Sequence, residues 1–566
     1  MALQRQAVAG CMSLSLETAM QSAYTVLILL MLVGVSRLLG RLIPLPLPLV
    51  QIGAGALLAW PSLGLHVALD PELFLFLFLP PLLFSDGWRM PKRELWRLRG
   101  PILTLAVGLV LFTVVGAGYF IHWLLPSIPL PVAFALAAVL SPTDAVAVSA
   151  IARDRLPGPL MHMLQGEALM NDASGLVTFK FALAAAITGV FSLASASLTF
   201  VLVAVGGLLV GVALSWLLGR LRAWMIARGW DDPATHVVFM LLLPFAAYVL
   251  AERLGASGIL SAVAAGMMQS WLDLLPRQTG TRLLNRSVWS LLEFAFNGLI
   301  FLLLGLQLPD IIKAVTHLET TLWPTLFYRC LDVVAIFLVL LVLRFVWVQS
   351  IWRLSGLLRR WRGQGELTLV PNARSCWLLT FGGVRGAVTL AGVLSVPLLL
   401  SAGEAFPERD LLIFIAAGVI LLSLIAACIA LPLLLRGIEK SPDDKRRNEV
   451  REAWRKTAEA AIHALEVEEP IEGSTPDAAQ AALATEVKAR LMSEYRHQLD
   501  VFNDSAEAQA LAFEMDLLER RLRLKAFRAQ RLELYRLSRH HQIGDDVLRE
   551  VLGELDLAEA NLGLGK

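Results

Sequence analysis

Six ionisable residues interrupt long apolar stretches of this chain, and their side chains are the ones most able to bind ions or protons. They are Asp144, Glu167, Asp172, Lys180, Glu293 and Arg385. A charge at the centre of a bilayer costs at least about 2.5–3.5 kcal/mol on insertion scales, so each group needs a partner or a function. Carboxylate oxygens bind hard cations and also protons, so the acids could carry either.

Two of these charges lie in sequences that break helices. Asp144 ends the segment Ser141-Pro142-Thr143-Asp144, and Arg385 lies within Gly382-Gly383-Val384-Arg385-Gly386. Because proline lacks an N–H donor and glycine disfavours helix, both segments predict a helix interrupted at membrane depth, where carbonyl oxygens become available. Two kinked helices without a ligand are the alternative interpretation.

One apolar segment carries two acids on different faces. At about 100° per residue, Glu167 and Asp172 point about 140° apart, which indicates different roles. We predict that Glu167 forms an ion pair with Arg385, and that Asp172 faces Asp144 across a hydrated crevice.

The other charges leave more alternatives open. Lys180 lies about 80° around the helix from Asp172, and it could reach a water boundary, pair with an acid or titrate during transport. Glu252 and Glu293 lie nearer the ends of their apolar segments, which favours roles in packing.

The composition indicates a membrane domain followed by a water-exposed tail. Of the 566 residues, 57% are hydrophobic and 17% are charged, and the mean hydropathy is +0.65, which excludes an ordinary soluble enzyme. Residues 441–566 hold 19 basic and 25 acidic residues, whereas residues 1–440 hold only 30 and 22. We therefore predict a transmembrane domain at 1–440 and a cytoplasmic helical regulatory tail at 441–566.

Thirteen apolar runs, each about long enough to cross 30 Å of hydrocarbon, fill the predicted transmembrane domain. They are 23–43, 46–66, 71–87, 101–125, 130–151, 160–188, 192–219, 234–252, 257–275, 285–308, 322–349, 374–400 and 410–436. Loops after the odd-numbered runs hold twenty Lys and Arg residues, and the other loops hold three. Since positively charged loops stay in the cytoplasm, the N-terminus is predicted outside the cell and the tail inside.

The two interrupted runs occupy matching places in a repeat. Thirteen runs divide into six, one and six, so matching runs of the two sets cross in opposite directions, and runs 5 and 12 match. We predict an all-α polytopic membrane protein with about 13 transmembrane helices, an inverted 6+1+6 repeat and two broken helices. Amphipathic helices around 444–468, 477–500, 504–541 and 545–562 are predicted in the tail.

Three stretches resemble the hallmark motifs of the monovalent cation/proton antiporters, in the sodium/proton exchanger (NhaP-like) branch. They are Ser-Pro-Thr-Asp-Ala-Val-Ala-Val at 141–148, Gly-Glu-Ala-Leu-Met-Asn-Asp-Ala-Ser-Gly at 166–175 and Phe-Gly-Gly-Val-Arg-Gly-Ala-Val at 381–388. The resemblance runs through the whole transmembrane domain in order. Three motifs together are more specific than any one.

This resemblance implies where the ion binds. Asp172 resembles the family's shared proton and cation carboxylate, and Asn171 beside it is implied to be a further ion-binding residue. Thr143 and Asp144 resemble the family's ion ligands at the unwound helix, so Asp172, Asp144 and Thr143 are the implied oxygen ligands of a monovalent cation.

The resemblance also implies an architecture. Glu167 and Arg385 resemble a buried ion pair between core helices. Runs 4–6 and 11–13 would form a moving core, runs 1–3 and 8–10 a dimerisation scaffold, and run 7 the connection. A homodimer in the cell membrane is therefore expected.

Three departures from the family pattern leave the choice among Na⁺, K⁺ and Li⁺ open. Ala168 replaces a common serine, and Ala145 replaces a common proline. Ser85 followed by Asp86 stands where many members have glutamate. Asp86 is therefore a candidate for an accessory role. Lys180 is a second candidate, because it lies in the same apolar segment as Asp172.

The sequence as a whole predicts a secondary active antiporter that exchanges protons for Na⁺, Li⁺ or K⁺ by competition at Asp172, for pH and cation homeostasis. Asn171 in place of a second acid favours electroneutral 1:1 exchange. We expect no enzyme activity, no cofactor beyond the transported ions and no nucleic-acid partner. The alternatives are a cation channel and a membrane receptor or scaffold that signals through the tail.

Overall fold

The structure is a computed structural model, and it describes most of the chain. The described residues are 24–40, 42, 45–59, 71–152, 155–189, 193–230, 232–273, 279–316, 322–361, 373–397, 406–436, 444–466, 478–501, 506–540 and 542–563. Every regular element in these ranges is helical. The chain divides into two compact units, Met1–Glu439 and Lys440–Lys566.

The first unit contains seventeen helices and one π-helical turn in its described ranges. The first nine helices are α1 Tyr24–Gly40, α2 Leu47–Leu58, α3 Pro71–Arg89, α4 Lys92–Arg97, α5 Arg99–Leu103, α6 Val110–Leu124, α7 Leu130–Leu140, α8 Ala145–Ala152 and α9 Gly158–Thr188. The π-helical turn, Thr104–Leu109, joins α5 to α6. The others are α10 Leu193–Ala227, α11 Pro233–Arg253, α12 Gly258–Leu272, α13 Thr279–Thr316, α14 Leu322–Trp361, α15 Ala373–Phe381, α16 Ala387–Leu394 and α17 Arg409–Leu434.

Six helical segments in the described residues are long and apolar enough to cross a membrane. They are Arg99–Leu124, Val201–Ala227, Pro233–Arg253, Thr281–Val315, Pro324–Arg353 and Arg409–Leu434. The pair α7 and α8, bent by 44°, makes a seventh when it is taken as one broken span. The polytopic all-helical prediction is therefore confirmed, whereas the number of thirteen crossings and the inverted repeat stay predictions.

Both predicted helix interruptions are present at the expected residues. The helix α7 ends at Leu140 and α8 begins at Ala145, while α15 ends at Phe381 and α16 begins at Ala387. The two unwound segments touch, because the backbone N–H of Asp144 donates to the Val384 carbonyl over 2.7 Å. Each break thus satisfies a backbone group that the other leaves open.

The first unit's helices pack mainly in two bundles. The helices α2, α3 and α10–α13 form one, and the segments from α5 to α9 together with α14–α17 form the other. Glycines allow close approach within the first bundle: a Cβ on Gly55 would lie 2.1 Å from the Leu302 carbonyl oxygen, and one on Gly305 2.1 Å from that of Ile52. Close backbone contact of this kind is how small residues stabilise helix pairs in membranes.

The second unit consists of four helices in its described residues. They are α18 Asp444–Glu466, α19 Ala478–Val501, α20 Ala506–Arg539 and α21 Asp545–Gly563. All four predicted tail helices are present at nearly the predicted positions. Successive helices pack on one another, and Arg531 of α20 forms ion pairs with Asp556 and Glu559 of α21.

Candidate functional site

A cavity of about 260 Å³ lies between the two bundles of the first unit. The helices α3 and α13 line one side, and the first helix break, α8, α9 and α16 line the other. Its polar and charged lining residues are Asp86, Arg89, Thr143, Asp144, Ser149, Gln165, Asp172, Glu293, Asn297 and Thr389. Four carboxylic acids therefore share one polar cavity between the two bundles.

Asp172 is the acid best placed to bind a small cation or a proton. It lies in the middle of α9, lines the cavity and is only 8% exposed. Among the described residues its carboxylate has no hydrogen-bond or ion-pair partner. A carboxylate withdrawn from water and left without a protein partner must find one in the cavity, which can be a cation, a proton or water.

Asp144 lies at the junction of the two broken helices, where hydrogen bonds fix the position of its carboxylate. Its Oδ1 accepts hydrogen bonds from the backbone N–H groups of Val146 (2.9 Å) and Ala147 (3.0 Å), so it caps the N-terminus of α8. Its Oδ2 lies against Gly386, where a Cβ would come within 2.1 Å of that oxygen. The structure thus brings Asp144 and Asp172 to one cavity.

Thr143 and Asn171 belong to a hydrogen-bonded chain that leads away from the cavity. The Asn171 side-chain amide donates to the Thr143 hydroxyl over 2.9 Å, and that hydroxyl lies 3.4 Å from Glu167 Oε1, to which it donates. Thr143 lines the cavity, but Asn171 and Glu167 do not. Asn171 therefore orients the unwound segment through Thr143.

The predicted ion pair between Glu167 and Arg385 is wrong. Glu167 instead binds Arg344 of α14 through two parallel hydrogen bonds, one from Nη1 to Oε1 and one from Nη2 to Oε2 at 2.8 Å. The Glu167 side chain is fully buried and that of Arg344 is 3% exposed. A buried glutamate requires such a partner, and a bidentate guanidinium satisfies both of its oxygens.

Arg385 serves the broken backbone instead. Its Nε donates to the Leu140 carbonyl (3.1 Å), its Nη1 to the Gly383 carbonyl (2.6 Å), and its backbone N–H to the Ser423 hydroxyl (3.0 Å). Where a helix stops, its last carbonyls lose their intrahelical donors and need others. Arg385 supplies such donors to a carbonyl at each break. These hydrogen bonds explain why its charge is tolerated inside the bundle.

Arg344 was not among the functional residues predicted from the sequence. This residue lies within the predicted run 322–349, between the apolar residues Leu343 and Phe345. This position could have identified Arg344 as a functional residue, because a charge within an apolar span needs a partner. Arg344 also donates from Nε to the Leu379 carbonyl over 2.9 Å, so it joins three helices.

Lys180 and Glu252 form an ion pair outside the cavity. Nζ of Lys180 lies 3.2 Å from Glu252 Oε1, and the two side chains are 61% and 34% exposed. Of the alternatives for Lys180, the structure shows pairing with an acid. Glu252 also accepts the backbone N–H of Gly258 at the start of α12, so it fixes the turn between α11 and α12.

Glu293 lines the cavity, whereas its position near the end of an apolar segment predicted a role in packing. It accepts a hydrogen bond from the Ser85 hydroxyl, forms an ion pair with Arg89, and lines the cavity together with Asp86. Ser85 and Asp86 form one of the three departures from the family pattern described above. Asp86 adds a carboxylate to the cavity wall, and the Ser85 hydroxyl donates to the carboxylate of Glu293.

Comparisons with known proteins agree with this architecture. The family described as "Sodium/hydrogen exchanger, transmembrane" matches residues 26–437. The chain is 46% identical over 551 residues to the uncharacterized Na⁺/H⁺ exchanger YjcE of Escherichia coli (strain K12), covering 96% of this chain and 99% of that protein. It is 42% identical over 554 residues to a sodium, potassium, lithium and rubidium/H⁺ antiporter of Bacillus pumilus (strain SAFR-032), covering 96% and 78%.

A solved structure shows the same fold. The sodium proton antiporter MjNhaP1 of Methanocaldococcus jannaschii superposes with a TM-score of 0.55, covering 75% of this chain and 99% of that chain at 18% sequence identity. At this identity the likeness concerns the fold alone.

Proposed function

This chain belongs to the sodium/hydrogen exchanger family, and we propose that it is a secondary active antiporter that exchanges protons for Na⁺, K⁺ or Li⁺ across the cell membrane. Its relatives are transporters, and the chain is not an enzyme. The proposal rests mainly on the Asp172 carboxylate. It is buried, it lines the polar cavity between the two helix bundles, and it has no partner among the described residues.

Exchange follows from competition at this carboxylate. A proton neutralises Asp172 covalently and a cation neutralises it electrostatically, and one carboxylate does not hold both together. A hard cation prefers oxygen, which Asp144, Thr143 and carbonyls at the breaks can add to Asp172. If only the neutralised site crosses the membrane, each cation carried one way requires a proton carried the other way.

A neutral residue in place of a second acid beside Asp172 supports electroneutral 1:1 exchange. Asn171, the neighbour of Asp172, is neutral and binds Thr143. Lys180 is paired with Glu252 away from the cavity, so its charge is already balanced. The central site then changes by one proton for each monovalent cation.

The position of the cavity supports alternating access with the structure open to the cytoplasm. Arg89 at the end of α3 and Met161 in the first turn of α9 both line it. Both adjoin loops whose basic residues predict the cytoplasmic side. We propose that the bundle containing α9 moves against the bundle containing α3 and α13. By family resemblance, the latter would form a homodimer scaffold.

The test is cation-driven proton movement in proteoliposomes. A pulse of Na⁺, K⁺ or Li⁺ should dissipate a preset pH gradient, reported by dequenching of a ΔpH-sensitive dye, with the membrane voltage clamped. Asp172→Asn should insert normally but abolish the response. Asp310→Asn, which alters an exposed acid of α13, should leave it intact.

Two results would contradict the proposal. Full activity of Asp172→Asn would remove the shared carboxylate from the mechanism. Cation flux without coupled proton movement under voltage clamp would instead indicate a channel.

A further inference from the structure

Besides Asp172, one other buried polar side chain of the cavity has no hydrogen-bond partner among the described residues. Thr389 on α16 lines the cavity with Asp144 and Asp172. It is 1% exposed, and its Oγ1 has no hydrogen-bond partner among the described residues. Of the buried polar atoms left without a partner there, it is the one whose residue lines the cavity. An unsatisfied hydroxyl is costly in a packed membrane bundle, so its presence needs an explanation.

The helix break explains why this hydroxyl is free. Threonines in helices commonly donate to the carbonyl four residues earlier, as Thr380 of α15 does to Cys376 over 2.7 Å. Thr389 is the third residue of α16, so the carbonyl four residues before it belongs to Arg385 in the unwound segment. The interruption therefore removes the acceptor that would otherwise occupy the hydroxyl.

The same face of α16 meets the acids of the cavity. Gly386 precedes Thr389 by three residues, a spacing that places both on one side of the chain as it enters the helix. Asp144 Oδ2 lies directly against Gly386. Asp172 lines the same cavity from α9. Thr389 thus lies with both carboxylates around one small space.

We propose that the Thr389 hydroxyl supplies an oxygen to the transported cation, so that the ion site takes ligands from both broken helices. This inference rests on the proposed exchange function. A hydroxyl oxygen coordinates a hard cation but carries no charge, so it strengthens cation binding without adding a second proton-binding group. Thr389 therefore sets the affinity for the cation, while Asp172 couples the cation to the proton.

The experiment compares Thr389→Val, which keeps the shape and removes the hydroxyl, with Thr389→Ser, which keeps the hydroxyl. Each is assayed for cation-driven exchange in proteoliposomes over a range of Na⁺ and K⁺ concentrations. The half-saturating cation concentration of the valine variant should rise by about three- to tenfold, the value of one lost polar interaction, with little change in maximal rate. The serine variant should stay close to the wild type.

Thr380→Val is the matched control, because Thr380 is also buried on the broken helix but its hydroxyl is occupied and it does not line the cavity. Its half-saturating concentration should not change. The cation-free thermal stability of Thr389→Val should equal or exceed that of the wild type, because the substitution removes an unpartnered hydroxyl. Added cation should raise the melting temperature less in this variant than in the wild type.

The outcomes separate this inference from the function on which it rests. An unchanged half-saturating concentration in Thr389→Val, with an active wild type, overturns the role of the hydroxyl. The same shift in Thr389→Ser assigns the effect to the methyl group and also overturns it. Absence of exchange in the wild type instead overturns the proposed function.

Discussion

Glu167 and Arg344 face each other in a bidentate ion pair that joins α9 to α14 deep within the first unit. Thr143 donates to the same glutamate, so the ion pair also anchors the unwound segment beside Asp144. Because both charges are almost completely buried, neither can turn to water when its partner is lost.

Removing one partner of this pair should strongly destabilise the protein. We expect Glu167→Gln and Arg344→Gln each to lower the free energy of unfolding by about 3–5 kcal/mol, since each leaves an uncompensated buried charge. Thermal unfolding in detergent measures the effect. The charge-exchanged double variant, Glu167→Arg with Arg344→Glu, should recover part of the loss.

Arg385 provides the contrast for this prediction. A double-mutant cycle between Glu167 and Arg344 should show large coupling, and one between Glu167 and Arg385 much smaller coupling. Equal coupling in both cycles would contradict the geometry.

Gly386 should be intolerant of even one added carbon. In Gly386→Ala the new Cβ would lie 2.1 Å from Asp144 Oδ2. Asp144 cannot rotate away without losing its hydrogen bonds to the N-terminus of α8. We expect the exchange rate to fall by about 100-fold, the effect of misplacing a reacting group by about 1 Å. Proteoliposome exchange at saturating Na⁺ measures it.

Gly100→Ala is the control for Gly386, because a Cβ there meets no atom within 4 Å. It should leave the exchange rate unchanged. Wild-type exchange in Gly386→Ala would show that Asp144 is not held as closely as the structure indicates.

Lys180 should not contribute to the stoichiometry of exchange. Its ion pair with Glu252 is partly exposed and contributes at most about 1 kcal/mol. Lys180→Met removes the charge and keeps most of the apolar stem. The proton-to-cation ratio and its independence of membrane voltage should be the same as in the wild type, as measured from flux reversal under imposed ion gradients. A new voltage dependence would make Lys180 a titrating participant.

The tail should be dispensable for exchange itself. Residues 1–439 form one compact unit, and the cavity lies entirely within it. A chain truncated after Glu439 should insert and retain cation-driven proton movement, while its response to cytoplasmic pH reports any regulation by the tail. Complete loss of exchange in a correctly inserted truncated chain would favour the receptor or scaffold alternative.

Much of the site could be predicted from local sequence. The breaks at 141–144 and 382–386 depend on proline and glycine, whose effect on a helix needs no distant partner. Burial of the charges follows from their apolar surroundings. The position of Asp172 in an apolar segment indicated a charge that needs a partner or a function, and the family resemblance implied its role as the shared carboxylate.

The pairing of the charges was decided only by the tertiary structure. An ion pair between Glu167 and Arg385 was predicted because both charges lie in apolar segments, whereas Arg344, 177 residues from Glu167, is the observed partner. Carbonyls left open by the breaks compete for Arg385 and bind it. The unpartnered hydroxyl of Thr389 likewise appears only once the break has displaced its usual acceptor. Helix propensity and hydropathy act over a few residues, but a buried charge is satisfied by whichever group the packing brings within hydrogen-bonding distance.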